Sequence, residues 1–245
     1  MKEFLSAVQF LTIVPVKIKD MDERKLSGSM SYFPVVGLLL GLALFGINIL
    51  FSNLGFRGFP VNIILVISLA ILTGGIHLDG LADTADAFLS RKNKEDMLVI
   101  MRDSHIGVMG VLALISVILL KISFFSSIGA PSKITALFLM CVLSRWSMVF
   151  TIFLFPYARK EGKAKVFIQG INSKIFILAT IIALICVFLL WSIDGVIVFI
   201  ITAIASYLAG KFISNKIGGI TGDTLGALCE INETVVLLSI VILTI

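Results

Sequence analysis

Several apolar runs in this 245-residue chain reach about 20 residues, the length an α-helix needs to cross a hydrocarbon core of about 30 Å. In lipid every backbone N–H and C=O must find its partner within the protein, so such runs fold as helices packed into a bundle. The composition agrees: 58% of residues are hydrophobic and the mean hydropathy is +1.09, well beyond the roughly half-apolar make-up of soluble domains. The expected architecture is all-α, a polytopic integral membrane bundle of about seven transmembrane helices preceded by an N-terminal interfacial helix. One membrane-embedded domain should cover residues 1–245.

The interfacial helix is expected over residues 2–16, with Phe4, Leu5, Val8 and Leu11 on one side and Pro15 as its stop. Spans are expected at 32–51, 61–76, 106–125, 134–155, 175–191 and 196–212. A seventh must begin near Thr224, because 234–245 alone is too short to cross. Cationic loops stay in the cytoplasm, and this layout places sixteen of the twenty Lys and Arg residues on one side. The N-terminus is therefore cytoplasmic, the C-terminus is outside, and the compartment is the plasma membrane. Fourteen of the fifteen carboxylates and both histidines fall on the same cytoplasmic side, so chemistry is expected there. The basic residues are scattered among loops, which argues against nucleic acid as a partner. Cys141, Cys186 and Cys229 form no CxxC pair and read as buried thiols. A clean apolar h-region with a cleavage site is missing at the N-terminus, so no cleaved leader is expected.

Residues 73–88 (TGGIHLDGLADTADAF) hold the densest chemistry. Asp79, Asp83 and Asp86 lie four and three residues apart, so at 100° per residue all three share a face about 60° wide. Like charges so placed destabilise an isolated helix, and a hard divalent cation with oxygen ligands is the simplest compensation. The plain alternative is a solvated acidic face, which rarely combines a Gly-Gly break, a His and an Asp-Gly step.

Further along, 101–107 (MRDSHIG) opens the third span. Asp103 or Ser104 can cap it, and its free N–H groups beside Arg102 suit either a phosphate seat or an ordinary capped helix start. Arg145 stands in mid-span, where an arginine usually faces a polar interior; Lys121 is expected to snorkel to the outer interface. Residues 157–162 (YARKEG) offer Arg159 and Lys160 as phosphate donors, although on the residues alone a plain cytoplasmic anchor is the stronger reading. Residues 218–233 (GGITGDTLGALCEINE) carry Asp223 and Glu230 on one helix face as further metal ligands, with Glu233 less well aligned and expected to be solvated. The P-loop and dinucleotide fingerprints are absent, as is a nucleophile elbow. Acids for a cation, bases for phosphate and glycines for close approach together suit metal-assisted phosphoryl transfer.

At GGIHLDGLADTAD (74–86), MRDSHIG, Ser144-Arg145, YARKEG and TGDTLGALCE (221–230), with YFPVVG (32–37) at the first span, the sequence resembles the cobalamin 5'-phosphate synthase family, the adenosylcobinamide-GDP ribazoletransferases. The resemblance covers nearly the whole chain in order. It implies a magnesium-dependent membrane enzyme that joins a corrinoid nucleotide to α-ribazole or its 5'-phosphate with release of GMP. In that reaction Asp79, Asp83, Asp86, Asp223 and Glu230 would hold Mg2+. Asp86, His77 or Asp83 would take the hydroxyl proton, Asp86 being favoured. Arg102, Asp103, Ser104, Arg145, Arg159, Lys160, Gly222 and Thr224 would contact substrate. Three departures stand out: Ile13 and His105 where Arg is common, and Ala87 where Gly is common. The rivals are a CDP-alcohol phosphotransferase, whose acidic pattern is longer than DGLADTAD, and an ion-coupled transporter, whose carboxylates usually sit at the midplane between repeats.

Overall fold

The computed structural model describes residues 1–16, 23–159, 161–162 and 164–244. In chain order the helices are α1 (Lys2–Leu11), α2 (Glu23–Gly28), a 3-10 turn (Ser29–Tyr32), α3 (Phe33–Asn53), α4 (Phe59–Leu72), α5 (Ile76–Leu89), α6 (Lys94–Ile100), α7 (Val108–Ser127), α8 (Ala130–Leu154), α9 (Lys165–Gly170), α10 (Ser173–Ile217) and α11 (Gly222–Thr244). Five of these runs are long and apolar enough to cross a membrane, and the bent pair α4–α5 makes a sixth. The 45 residues of α10 would extend about 68 Å if straight, twice what one crossing needs. Its torsions leave the helical region at Trp191 and Ser192, and a Cβ on Gly195 would meet the Val187 carbonyl at 2.7 Å. The element is thus a tight hairpin of two apolar limbs, in keeping with the separate runs expected at 175–191 and 196–212.

α8 is the axis of the bundle. Its apolar window is 78% buried, against 17–28% for α10, α7 and the first span, and α3, α10 and α11 pack directly on it. The Ile and Leu side chains on the outer faces of α3, α7 and α10 are exposed because lipid is their solvent. Several polar groups inside find partners between helices, which hydrocarbon favours: Trp146 Nε1 donates to Thr180 Oγ1 at 3.1 Å, and Asn232 Nδ2 to Ser147 Oγ at 3.0 Å. The N-terminal helix ends at Leu11 rather than near Pro15. Thr12 is extended, and the Ile13 N–H then bonds Leu72 O at 2.9 Å, docking the chain on the end of α4.

The core also holds a knot of charge. Lys121 of α7 donates to Glu230 Oε2 of α11 at 2.5 Å and to Glu233 one turn on, while Arg145 Nη1 of α8 donates to Glu233 Oε1 and to Ser144 Oγ. All four ionised side chains are buried, Arg145 and Glu233 completely. Lys121 therefore does not reach for the interface and Glu233 is not solvated. Two cations and two anions meet where no water can screen them, so each carries the cost of the others' absence. Removing one partner of a buried pair typically costs about 3–5 kcal/mol, because it strands an uncompensated charge. Glu233→Gln should accordingly lower the thermal unfolding midpoint sharply, and adding Lys121→Met, which restores neutrality, should recover much of the loss.

Candidate active site

At the end of α4 the helix breaks at Gly74 and Gly75, both with φ near +65° (+63° and +70°), a region side chains rarely adopt. The axis turns by 90° into α5, which carries the three aspartates. α5 packs against α11 and α7. A Cβ on Gly80 would strike the Asp223 carbonyl at 2.5 Å, so the glycine is what lets the two acidic segments meet. A second tie brings in the arginine loop: Ala158 N donates to Ile220 O at 2.9 Å and Ile220 N to Pro156 O at 2.8 Å. Arg159 is thereby set beside Asp223, with Nη2 2.8 Å from Oδ2. That contact is an ion pair without hydrogen-bond alignment, and the buried Nε and Nη2 of Arg159 make no hydrogen bond.

The outcome is an open cleft of about 570 Å³. Asp79 and Asp83 stand on one side and Asp223 beside Arg159, with the Arg102–Ser104 loop as the remaining wall. Seven of the residues singled out by sequence share it: Asp79, Asp83, Arg102, Asp103, Ser104, Arg159 and Asp223. In the loop, His105 Nδ1 lies 2.6 Å from Asp103 Oδ1. That hydrogen bond pushes the His105 ring up from its ordinary pKa and the Asp103 carboxyl down.

Other expected site residues sit elsewhere. Asp86 Oδ2 and Oδ1 accept the backbone N–H groups of Gly107 and Gly110, at 2.7 and 2.8 Å, so Asp86 caps the N-terminus of α7 from another helix. Asp103 and Ser104 do not cap it: the helix begins at Val108 after Gly107, with no local side-chain cap. The phosphate seat expected there is filled by a carboxylate, as the positive end of a helix favours. A Cβ on either glycine would lie 2.4 Å from an Asp86 oxygen, which explains both glycines. Glu230 stands apart from the aspartates, held by Lys121, and Arg145 is enclosed against Glu233 away from the cleft. His77 is buried and lines a neighbouring cavity. Thr224 is enclosed in a reciprocal cap of α11, its Oγ1 accepting from Thr221 N at 2.8 Å and its N–H donating to Thr221 Oγ1 at 3.2 Å. Gly222 is exposed beside Asp223 on the rim of that same neighbouring cavity. Lys160 lies outside the described residues. Sequence reasoning missed Thr221 as the cap of α11, although the T-x-x-T spacing before an apolar run signals it.

Among the described residues no three His, Cys, Asp or Glu side chains converge tightly enough to grip an ion unaided. Asp79, Asp83 and Asp223, three of the four carboxylates lining the cleft, still suit Mg2+, which keeps several waters and is usually bound by one or two carboxylates together with substrate phosphates.

A family model described as Cobalamin-5-phosphate synthase matches residues 3–241. The chain belongs to that family. Proteins named adenosylcobinamide-GDP ribazoletransferase are similar along almost their whole length. That of Acetivibrio thermocellus is 41% identical, covering 96% of this chain and 95% of the relative. That of Fusobacterium nucleatum is 39% identical over 96% and 95%, and that of Desulforamulus reducens 37% identical over 96% and 94%. No solved structure matches the chain. Membership of the cobalamin-5-phosphate synthase family makes this a transferase of cobalamin biosynthesis. The charge geometry agrees in disfavouring a transporter, since the mid-bundle acids Glu230 and Glu233 are already neutralised by Lys121 and Arg145.

The geometry splits the three aspartates by role. Charge-assisted hydrogen bonds of the kind Asp86 makes contribute about 1.5–3 kcal/mol each, and Asn can satisfy only one of the two donors. Asp86→Asn should lower the melting temperature, whereas Asp83→Asn should leave it unchanged or raise it by relieving repulsion. Thermal unfolding of the two purified variants checks this directly.

Proposed function

We propose that the protein is a magnesium-dependent adenosylcobinamide-GDP ribazoletransferase acting at the cytoplasmic face of the plasma membrane. The observation that carries the reading is the cleft itself: Asp79, Asp83 and Asp223 face the same space as Arg102 and Arg159 at one end of the bundle. Carboxylates alone would repel a pyrophosphate and arginines alone would not hold a cation, so their alternation suits a metal–pyrophosphate ligand. Magnesium held by Asp79, Asp83 and Asp223 would offset charge building on the pyrophosphate oxygens. The two arginines present planar donors to the same oxygens, and the Nε of Arg159, which makes no hydrogen bond, is ready for that role.

The hydroxyl of α-ribazole, or of its 5'-phosphate, attacks the phosphorus attached to the cobinamide side chain. The new P–O bond forms as the bond to the guanylyl phosphate breaks, GMP leaves, and the hydroxyl proton passes to a carboxylate. Of the three candidates for that proton, Asp83 is the one that lines the cleft, since Asp86 is engaged with α7 and His77 is enclosed. The product is a phosphodiester between the corrinoid side chain and the ribazole.

Purified protein mixed with adenosylcobinamide-GDP, α-ribazole phosphate and Mg2+ should release GMP. EDTA should abolish release and excess Mg2+ should restore it. Asp79→Asn and Asp83→Asn should each lower turnover by at least a hundredfold, about 2.7 kcal/mol of barrier, in protein that remains folded. Undiminished turnover in EDTA would sink the metal assignment, and no GMP release under any of these conditions would sink the reaction.

A further inference from the structure

Beside the cleft lies a cavity of about 160 Å³, and Asp79 and Asp223 line both spaces. Its walls are apolar, with Phe10 of α1, Phe33 of α3, Phe167 of α9 and Met148 of α8 among them. Phe10 stacks on Phe33 with centroids 5.9 Å apart and tilts against Phe167 at 4.5 Å. His77 also lines it, 2% exposed, and its Nε2 makes no hydrogen bond. Leaving a buried polar atom unpaired costs about 1–3 kcal/mol, a cost that a ligand atom in the cavity would remove. An apolar cavity of about 150 Å³ takes up benzene, so this one has room for one ring of a flat fused base whose remainder lies towards the cleft, and a corrin macrocycle is far too large for it.

We propose that this cavity seats the aromatic base of the ribazole, with His77 Nε2–H donating to the ring nitrogen that carries no sugar. The inference rests on the ribazoletransferase reading and adds where the acceptor substrate docks. A benzimidazole-type base is flat and apolar at its edge, and it keeps one free nitrogen as an acceptor. Against the phenylalanine cluster it gains offset or edge contacts, and His77 supplies the single donor that fixes its orientation. The attached ribose then emerges between Asp79 and Asp223, which brings its hydroxyls to the rim of the cleft. A lipid chain would match the same walls but offers His77 nothing to bond.

Steady-state GMP release measured against each substrate separately tests the docking. Ala164, 8% exposed, lines the cavity, and Ala164→Leu narrows it. The KM for the dimethylbenzimidazole riboside phosphate should rise at least tenfold, the KM for the smaller imidazole riboside phosphate should rise less, and that for adenosylcobinamide-GDP should stay within twofold. His77→Phe, which keeps the apolar shape and loses the donor, should raise the same ribazole KM, and His77→Gln should restore part of it. If either variant fails to fold, the wild-type protein carries the test: a tricyclic naphthimidazole riboside phosphate should show a KM at least tenfold above that of dimethylbenzimidazole. An active enzyme whose ribazole KM ignores these changes overturns the cavity assignment alone, whereas a wild-type protein that never releases GMP removes the reaction on which it rests.

Discussion

Lys121, Arg145, Glu230 and Glu233 meet in the middle of the bundle, from α7, α8 and α11. Lipid offers no screening, so a charge there must be matched by another within reach or it unfolds the site around it. The charges match two against two, and they weld the central helix α8 to α7 and α11, the two helices against which the aspartate-bearing α5 packs. The rest of the architecture depends on that weld, because α11 brings Asp223 to the aspartates of α5 and α7 presents its N-terminus to Asp86. The same principle separates structure from chemistry. Where charges cancel inside the bundle they hold helices together; at its end carboxylates crowd beside two arginines around an open cleft, which is where the proposed chemistry sits.

Two backbone devices place that uncancelled charge. The left-handed pair Gly74–Gly75 turns the chain by 90°, so that α5 leaves the line of α4 and lies against α11 and α7. Asp86 then locks the far end of α5 to the first turn of α7 through two backbone N–H groups. Between these fixed points Asp79 and Asp83 are left facing the cleft. The loop carrying Arg159 is held to the loop before α11 by paired backbone hydrogen bonds, which sets Arg159 at a fixed distance from the aspartates.

Much of this was legible in the sequence. Runs of apolar residues and the bias of Lys and Arg locate the crossings, since both follow from transfer free energies that composition determines. The hairpin in α10 was legible because Asp194 and the Trp191-Ser192 step interrupt two runs. Of the segments the family motifs marked, those carrying Asp79, Arg102, Arg159 and Asp223 are gathered at one end, whereas Ser144-Arg145 lies in the core. What a one-dimensional reading cannot supply is pairing. Helical spacing puts Asp79, Asp83 and Asp86 on one face, yet it is the approach of α7 that turns Asp86 into a cap. Likewise Glu230 shares a face with Asp223, but the position of Lys121 decides that it balances charge inside the bundle. His77 and Arg145 belong to the same class, their surroundings being set by helices distant in sequence.

The central claim is that the aspartates at the cleft are completed by a divalent cation while the acids in the core are completed by protein. Mn2+ binding to the purified protein in lipid nanodiscs, followed by electron paramagnetic resonance, tests it without any substrate. The account predicts that wild-type protein binds Mn2+, that an Asp79→Asn, Asp83→Asn double variant loses it, and that Glu230→Gln in a still-folded protein keeps it. Binding that survives in the double variant, or disappears in folded Glu230→Gln, would contradict the account.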